Sequence, residues 1–365
     1  MRGDGLFLRC LRSLDDKVNV KLLLRVWGPR VELFVRVLLV ATFLDDSVRA
    51  ATHFSEHVKQ VGSQGYLKQV VTPELLYAIA TFALGIGLLV QSFGSLCLLA
   101  LIQPDSAAKA LIGWAVVQPV LYAQLANVEF VAESLSLIGG LIILRAHLSE
   151  QALRAGSRIP LGGGGLCCAP EDEPEASIAR TQLLGRVLLP SVYLYHAAVI
   201  LRDNVTGESA DHTEYSFAML VTEYAVNLAV VAGLVLSFVL VTAGLRSRAV
   251  ALGLALVNFG FVCYSHPFFR LVWREGGEWK YDEVETRKPM PHVALPKNVD
   301  PENFEPWHIV DLHRYYFFQG LSTSGALLLL AQFGPGEIAV EEDEVILGDV
   351  QRARDGPDYA PLVQR

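Results

Sequence analysis

The chain has 365 residues, 52% of them hydrophobic and only 19% charged, with a mean hydropathy of +0.37. Soluble globular domains carry about a quarter charged residues, so this balance argues against a soluble enzyme and toward lipid. The net charge of -8 resides in loops and tail, and no basic face suited to nucleic acid occurs.

Residues 1–30 interleave Arg2, Arg9, Arg12, Lys17, Lys21, Arg25 and Arg30 with apolar side chains. Asp4, Asp15 and Asp16 argue against an acid-poor transit peptide, and the stretch reads as a basic amphipathic segment on the cytosolic leaflet. A bilayer crossing needs about 20 apolar residues, because lipid cannot satisfy exposed backbone. Segments of that character follow at 31–44, 75–102, 107–127, 130–144, 183–201, 216–245, 249–264 and 315–333. The first, fourth and seventh are short but have amphipathic flanks. The expected fold class is therefore all-α, a polytopic membrane helix bundle of about eight transmembrane helices. With a cytosolic amino terminus, the tails and even-numbered loops hold the larger share of Lys and Arg. The sequon Asn204-Val205-Thr206 then faces the lumen.

Two stretches recur. Arg36-Val-Leu-Leu-Val-Ala-Thr-Phe-Leu44 resembles Arg186-Val-Leu-Leu-Pro-Ser-Val-Tyr-Leu194, and Leu135-Ser-Leu-Ile-Gly-Gly-Leu-Ile-Ile-Leu144 resembles Leu321-Ser-Thr-Ser-Gly-Ala-Leu-Leu-Leu-Leu330. They open and close corresponding blocks, which predicts two parallel four-helix repeats, 31–144 and 183–333. The growing offset is explained by an insertion in the long lumenal loop 265–314. The linker 145–182, with Gly162–Gly165 and an acidic Pro-bounded run, is expected to be disordered. Its glycines lack the Lys-Ser/Thr of a phosphate loop. Residues 334–365 form an acidic cytosolic tail.

No catalytic constellation is visible, and no cofactor is expected. Cys10, Cys97, Cys167, Cys168 and Cys263 show neither metal-ligand nor redox spacing. His53-Phe-Ser-Glu-His57 fits an inverted zinc-protease pattern, but no third ligand is identifiable, and an interfacial amphipathic segment is the preferred reading. Arg36 and Arg186 read as snorkelling or paired arginines at cytosolic span ends. Asp45, Asp46, Glu129, Glu133, Glu214 and Glu223 fall at or just inside the lumenal span ends. Ionisable groups there are costly and mark either a functional path or a solvated rim.

The sequence resembles the surfeit locus protein four family through several stretches in family order. These are Thr42-Phe-Leu-Asp-Asp-Ser-Val-Arg49 with Ser55-Glu56, Leu137-Ile-Gly-Gly-Leu-Ile-Ile-Leu144, and Leu184-Gly-Arg-Val-Leu-Leu189. The last is Tyr315-Tyr-Phe-Phe-Gln319 running into Leu327-Leu-Leu-Leu-Ala-Gln-Phe-Gly-Pro-Gly336. The four-helix repeat also looks like the wider DoxX-like group. The resemblance implies a receptor that cycles between endoplasmic reticulum and Golgi and binds soluble secretory cargo, often by its amino-terminal residues. COPII and COPI coats would be its cytosolic partners. Three departures stand out. Glu133-Ser134 replaces an Arg-Asn that the family tends to carry, the 265–314 loop is long, and the tail ends Leu362-Val-Gln-Arg365 rather than in dilysine.

The alternative to a cargo receptor is a small-solute transporter or channel, which would want a polar trail across the bilayer. A membrane oxidoreductase would want paired cysteines or a histidine ligand set. The expected cargo-binding residues are Asp45, Asp46, Glu129, Glu133 and Glu223. The expected sorting signals are the acidic cluster Glu341-Glu342-Asp343 and Tyr359-Ala-Pro-Leu362.

Overall fold

The computed structural model describes residues 20–64, 72–154, 175–206, 217–245, 247–282, 306–336 and 338–339. Glu214, Glu341, Asp343, Tyr359 and Leu362 lie outside these residues, as does most of the linker. The chain is nearly all helix, in the order α1 Val20–Thr52, α2 Phe54–Gln64, α3 Pro73–Ala100, α4 Pro104–Leu121, α5 Val128–Arg154, α6 Glu175–Leu188, α7 Ser191–Thr206, α8 Phe217–Ala243, α9 Ser247–Ser265, α10 Phe268–Leu271 and α11 Pro306–Phe333. A short antiparallel hairpin, β1 Val272–Glu275 with β2 Glu278–Tyr281, stands between α10 and α11.

Local chemistry explains the boundaries. Proline opens α3, α4 and α11, where its missing N–H would have had no helical partner. Pro190 separates α6 from α7, and the two continue as one segment across the break. Helix α1 begins at Val20, eleven residues before the apolar stretch at Val31, so the basic residues Lys21, Arg25 and Arg30 extend the same helix.

Four segments are long and apolar enough to cross a membrane by length and composition: Pro73–Ala100, Ser177–Thr206, Val221–Ala243 and Ser247–Leu271. In the most apolar stretch of Val221–Ala243 only 6% of residues are buried, so its surface is apolar and outward-facing. Phe82, Leu89 and Phe93 on α3 and Val257 and Phe261 on α9 are likewise exposed. Water would not tolerate such a continuous apolar girdle; hydrocarbon requires it. Helices α1, α4, α5 and α11 carry more polar residues and supply most of the core. The amphipathic α2 turns Val58 and Val61 onto Ala80 and Leu84 of α3.

Helix α11 packs against α1, α5 and α9, while α5 also packs against α6 and α7. Small residues allow the tightest of these contacts. A Cβ on Gly325 would stand 2.7 Å from the Leu39 amide nitrogen, and one on Gly139 would collide with the Leu189 amide nitrogen. Hydroxyls stitch the same seams. Ser322 Oγ donates to the Leu38 carbonyl at 3.0 Å and lies 2.8 Å from Thr42 Oγ1, and Ser136 Oγ donates to the Leu189 carbonyl at 2.8 Å.

The bundle end marked by Arg36 is closed by arginines on helix C-terminal carbonyls. Arg36 Nη1 donates to Leu98 and Leu99 of α3 at 3.4 and 3.1 Å, and Arg248 donates to Gln332 and Phe333 of α11 at 3.4 and 3.5 Å. Arg186 is fully buried and donates to the Ile338 carbonyl. Neither Arg36 nor Arg186 snorkels; each guanidinium serves backbone that has no helical partner. The Gly334-Pro335-Gly336 turn fits among these groups only with positive φ, +82° and +78°, because a Cβ on Gly334 would meet Arg248 and one on Gly336 would meet Gln182.

The Gly325 contact yields the first prediction. Gly325→Val should lower the stability of the detergent-purified protein by about 1–3 kcal/mol through overpacking, whereas Gly85→Ala, where nothing lies within 4 Å, should be neutral or better. Thermal unfolding followed by gel filtration measures both. Equal melting of Gly325→Val and the native protein would mean that the α1–α11 seam is not closely packed.

Candidate functional site

The opposite end, marked by the C-terminus of α1 and the N-terminal halves of α5 and α11, gathers four of the five expected carboxylates. Asp45 and Asp46 are buried near the end of α1, and Glu129 and Glu133 lie one turn apart on one face of α5, also buried. Each has a distinct environment. Asp45 Oδ1 lies 2.6 Å from both Nε and Nη2 of Arg314 on α11. Asp46 receives Arg49 Nη2 on Oδ1 at 2.9 Å and Gln118 Nε2 on Oδ2 at 3.1 Å. Glu129 is hydrogen-bonded by the hydroxyls of Tyr195 and Tyr316. Glu133 has no hydrogen bond on Oε2, while its backbone carbonyl receives Gln319 Nε2 at 3.1 Å.

Helix α11 forms the centre of this end. Tyr315 stacks on Phe130, with ring planes 7° apart, and Arg49 lies 5.4 Å above the Tyr315 ring. Tyr316 stacks on His266, whose Nδ1 is 3.2 Å from Nδ1 of His313. A cleft lies between α1, α2, α3 and α4, lined by Asp46, Arg49, His57, Gln91, Trp114 and Tyr122. Burial, helped by the nearby Arg49 charge, lowers the His57 imidazole below its usual range, and its Nδ1 lies 3.2 Å from the Tyr122 hydroxyl.

Glu223 stands apart from the other four: it is half-buried on α8, and among the described residues it makes no hydrogen bond or ion pair. His53 and Glu56 pair with each other at 3.5 Å on the surface while His57 turns to Tyr122, and no group of three His, Cys, Asp or Glu that could hold a metal occurs among the described residues. Arg49 and Tyr315 were already contained in the stretches that carry the family resemblance, without an assigned role. Gln319 likewise closes one of those stretches, whereas Arg314 and Gln118 gave no sequence signal, because their partners lie far away in the chain.

At the other end of α3 and α4, Asp105 is held by Lys109 at 2.7 Å and by Arg145 at 2.7 Å. Burial alone would raise its carboxyl, but the two cations outweigh that and hold it below the usual range.

An all-α membrane bundle, sealed by arginines at one end and carrying buried carboxylates among aromatic rings at the other, is the class of protein these features define. Residues 17–202, just over half of the chain, match the SURF4 family, and the chain belongs to that family. No solved structure matches it.

The Asp45–Arg314 pair yields a second prediction. Arg314→Met should destabilise the protein by about 2 kcal/mol, less than the roughly 3–5 kcal/mol of a fully buried pair because Arg314 is 29% exposed. Asp45→Asn combined with Arg314→Met should recover part of that loss, since no uncompensated charge remains. Strict additivity of the two single changes in thermal unfolding would show that the pair contributes no coupling.

Proposed function

We propose that this protein is a membrane cargo receptor that binds soluble secretory proteins in the lumen of the endoplasmic reticulum and loads them into vesicles bound for the Golgi. Membership of the SURF4 family is the observation that carries this reading, and the gathering of carboxylates at one end of the bundle supports it. A secretory protein freshly cleaved from its signal peptide presents an α-amino group that is largely protonated near neutral pH. Of the expected carboxylates Asp45, Asp46, Glu129, Glu133 and Glu223, the α5 pair Glu129 and Glu133 would offer that cation complementary charge beside aromatic and apolar surface, where partial desolvation strengthens attraction. Asp45 and Asp46 are paired beside them, and Glu223 stands apart on α8. COPII and COPI components would engage the cytosolic side, with Glu341, Asp343, Tyr359 and Leu362 as the tail's sorting elements. The receptor would cycle from the endoplasmic reticulum through the intermediate compartment and Golgi.

The architecture proposed with this function is eight crossings in two parallel four-helix repeats, 31–144 and 183–333. Support comes from the paired seams: Gly139 meets Leu189 as Gly325 meets Leu39, and Ser136 bonds Leu189 as Ser322 bonds Leu38. Adding 150 residues to Leu39 gives Leu189, and adding 186 to Gly139 and Ser136 gives Gly325 and Ser322, the same offsets at which the two sequence stretches recur. An even number of crossings puts both termini in the cytosol and the carboxylate end in the lumen.

Epitope tags at the two termini should both be removed by protease added to sealed microsomes, without detergent. Survival of either tag would overturn the eight-crossing topology. Cells lacking the protein should retain a defined subset of soluble secretory proteins in the endoplasmic reticulum while membrane-protein export continues, and re-expression should restore secretion of that subset. An unchanged secretome would overturn the receptor reading.

A further inference from the structure

The carboxylates of the proposed cargo end are not equivalent, because two of them already have cations. Asp45 is neutralised by Arg314 and Asp46 by Arg49, at 2.6 and 2.9 Å. Both pairs tie one part of the bundle to another or to itself, and an incoming cation would have to displace a guanidinium held in contact geometry. Glu133 differs. It is 7% exposed, and its Oε2 has no hydrogen-bond partner. Beside it, Gln319 is 3% exposed and fixed by its Nε2 on the Glu133 carbonyl at 3.1 Å, which leaves Gln319 Oε1 without a partner as well. Two buried acceptors on residues in direct contact, one of them a carboxyl group, are costly unless a donor arrives. A donor that also carries positive charge would satisfy them and hold the carboxyl ionised.

The surroundings select the kind of cation. Calcium takes about six to eight oxygen ligands, and no metal-holding cluster of three His, Cys, Asp or Glu occurs among the described residues. A primary ammonium has three donors and no acceptor, so it can meet Glu133 Oε2 and Gln319 Oε1 together. Phe130 and Tyr315 stack one turn toward the helix start, and Arg49 already lies over the Tyr315 ring, so aromatic surface at this end attracts a cation in the structure itself. Glu133 lies five residues inside the start of α5, about 7.5 Å along the helix axis, a depth that the first two or three residues of an extended chain can span.

We propose that Glu133 and Gln319 form the recognition point for the cargo's free α-ammonium, while Asp45 holds α1 to α11 through Arg314 and Asp46 holds α1 to α4 through Gln118. This rests on the cargo-receptor reading above and assigns the contact within it.

The test uses the full-length receptor in nanodiscs and two fluorescent peptides of one sequence, apolar in the first three positions. One has a free amino terminus and the other is amino-terminally acetylated. The native receptor should bind the free peptide at least about tenfold more tightly, as expected for a buried charge pair. Glu133→Gln preserves volume and removes the charge, and it should bring the two affinities within about twofold of each other. Gln319→Met should weaken the free peptide several-fold and leave the acetylated one unchanged. Undiminished discrimination by both variants overturns the Glu133–Gln319 assignment while leaving the receptor reading in place, as does an equal loss for both peptides, which would make these residues packing elements. A native receptor that fails to prefer the free peptide instead overturns the amino-terminal reading itself. Thermal unfolding of each variant verifies folding, and Gln319→Met supplies the answer if Glu133→Gln does not fold.

Discussion

Helices in a bilayer gain little by hiding apolar side chains from each other, because the lipid is as apolar as leucine. Association must come from close packing and from hydrogen bonds that lipid cannot offer, and in this protein both coincide along the contact of α1 with α11. Gly325 lets the Leu38–Leu39 backbone approach, and the Thr42–Ser322 hydroxyl pair with its bond to Leu38 fastens the same stretch. A larger residue at 325 or an apolar one at 322 would remove the means by which residues nearly three hundred positions apart find register. Gly139 with Ser136 does the equivalent for α5 against the α6–α7 junction.

The polar end inherits its geometry from that seam. The two helices run antiparallel, so moving three residues up α1 from Thr42 reaches Asp45, and moving eight residues back along α11 from Ser322 reaches Arg314. At about 1.5 Å per residue these displacements are roughly 4.5 and 12 Å, and the long arginine side chain, reaching back along α11, covers the difference to make its 2.6 Å contact. The packing of α11 on α5 puts Tyr315 beside Phe130 and Gln319 on the Glu133 carbonyl. The ion pair, the aromatic stack and the amide contact thus follow from the two faces that α11 turns to α1 and α5.

The all-α membrane bundle was legible in the sequence because lipid imposes a length and composition that few other environments do. The ends of its helices were less so. Lys21, Arg25 and Arg30 break the apolar pattern ahead of Val31, yet the backbone remains helical from Val20, since a charged flank ends hydrophobicity and not hydrogen bonding. The carboxylates Asp45, Asp46, Glu129 and Glu133 could be picked out by their cost in a membrane, but Arg314 and Gln118 could not, because a partner 269 or 72 residues away leaves no local pattern. Glu223 satisfied the same sequence criterion and yet stands alone on α8, for depth in a span says nothing about the direction a helix turns. The Gly334-Pro335-Gly336 turn stood out as a motif, while its reason, room for Arg248 and Gln182, needed the fold.

The two ends of the bundle handle charge in opposite ways. At the sealed end Arg36 and Arg248 rest on carbonyls of α3 and α11, whose C-terminal dipoles supply diffuse negative potential, and Glu32, 3.9 Å from Arg36, adds a carboxylate to it. At the other end Asp45 and Asp46 each have a guanidinium, and Glu129 and Glu133 add acid beyond those two cations. That excess distinguishes scaffold from recognition. A residue that only held helices together would need its counter-charge to be retained with it, as Asp45 needs Arg314. Glu133 keeps a carboxylate oxygen without a hydrogen-bond partner, whereas Asp45 is bound through Arg314 to the packing of α1 on α11, and Asp46 is bound through Arg49 and Gln118 to α1 and α4.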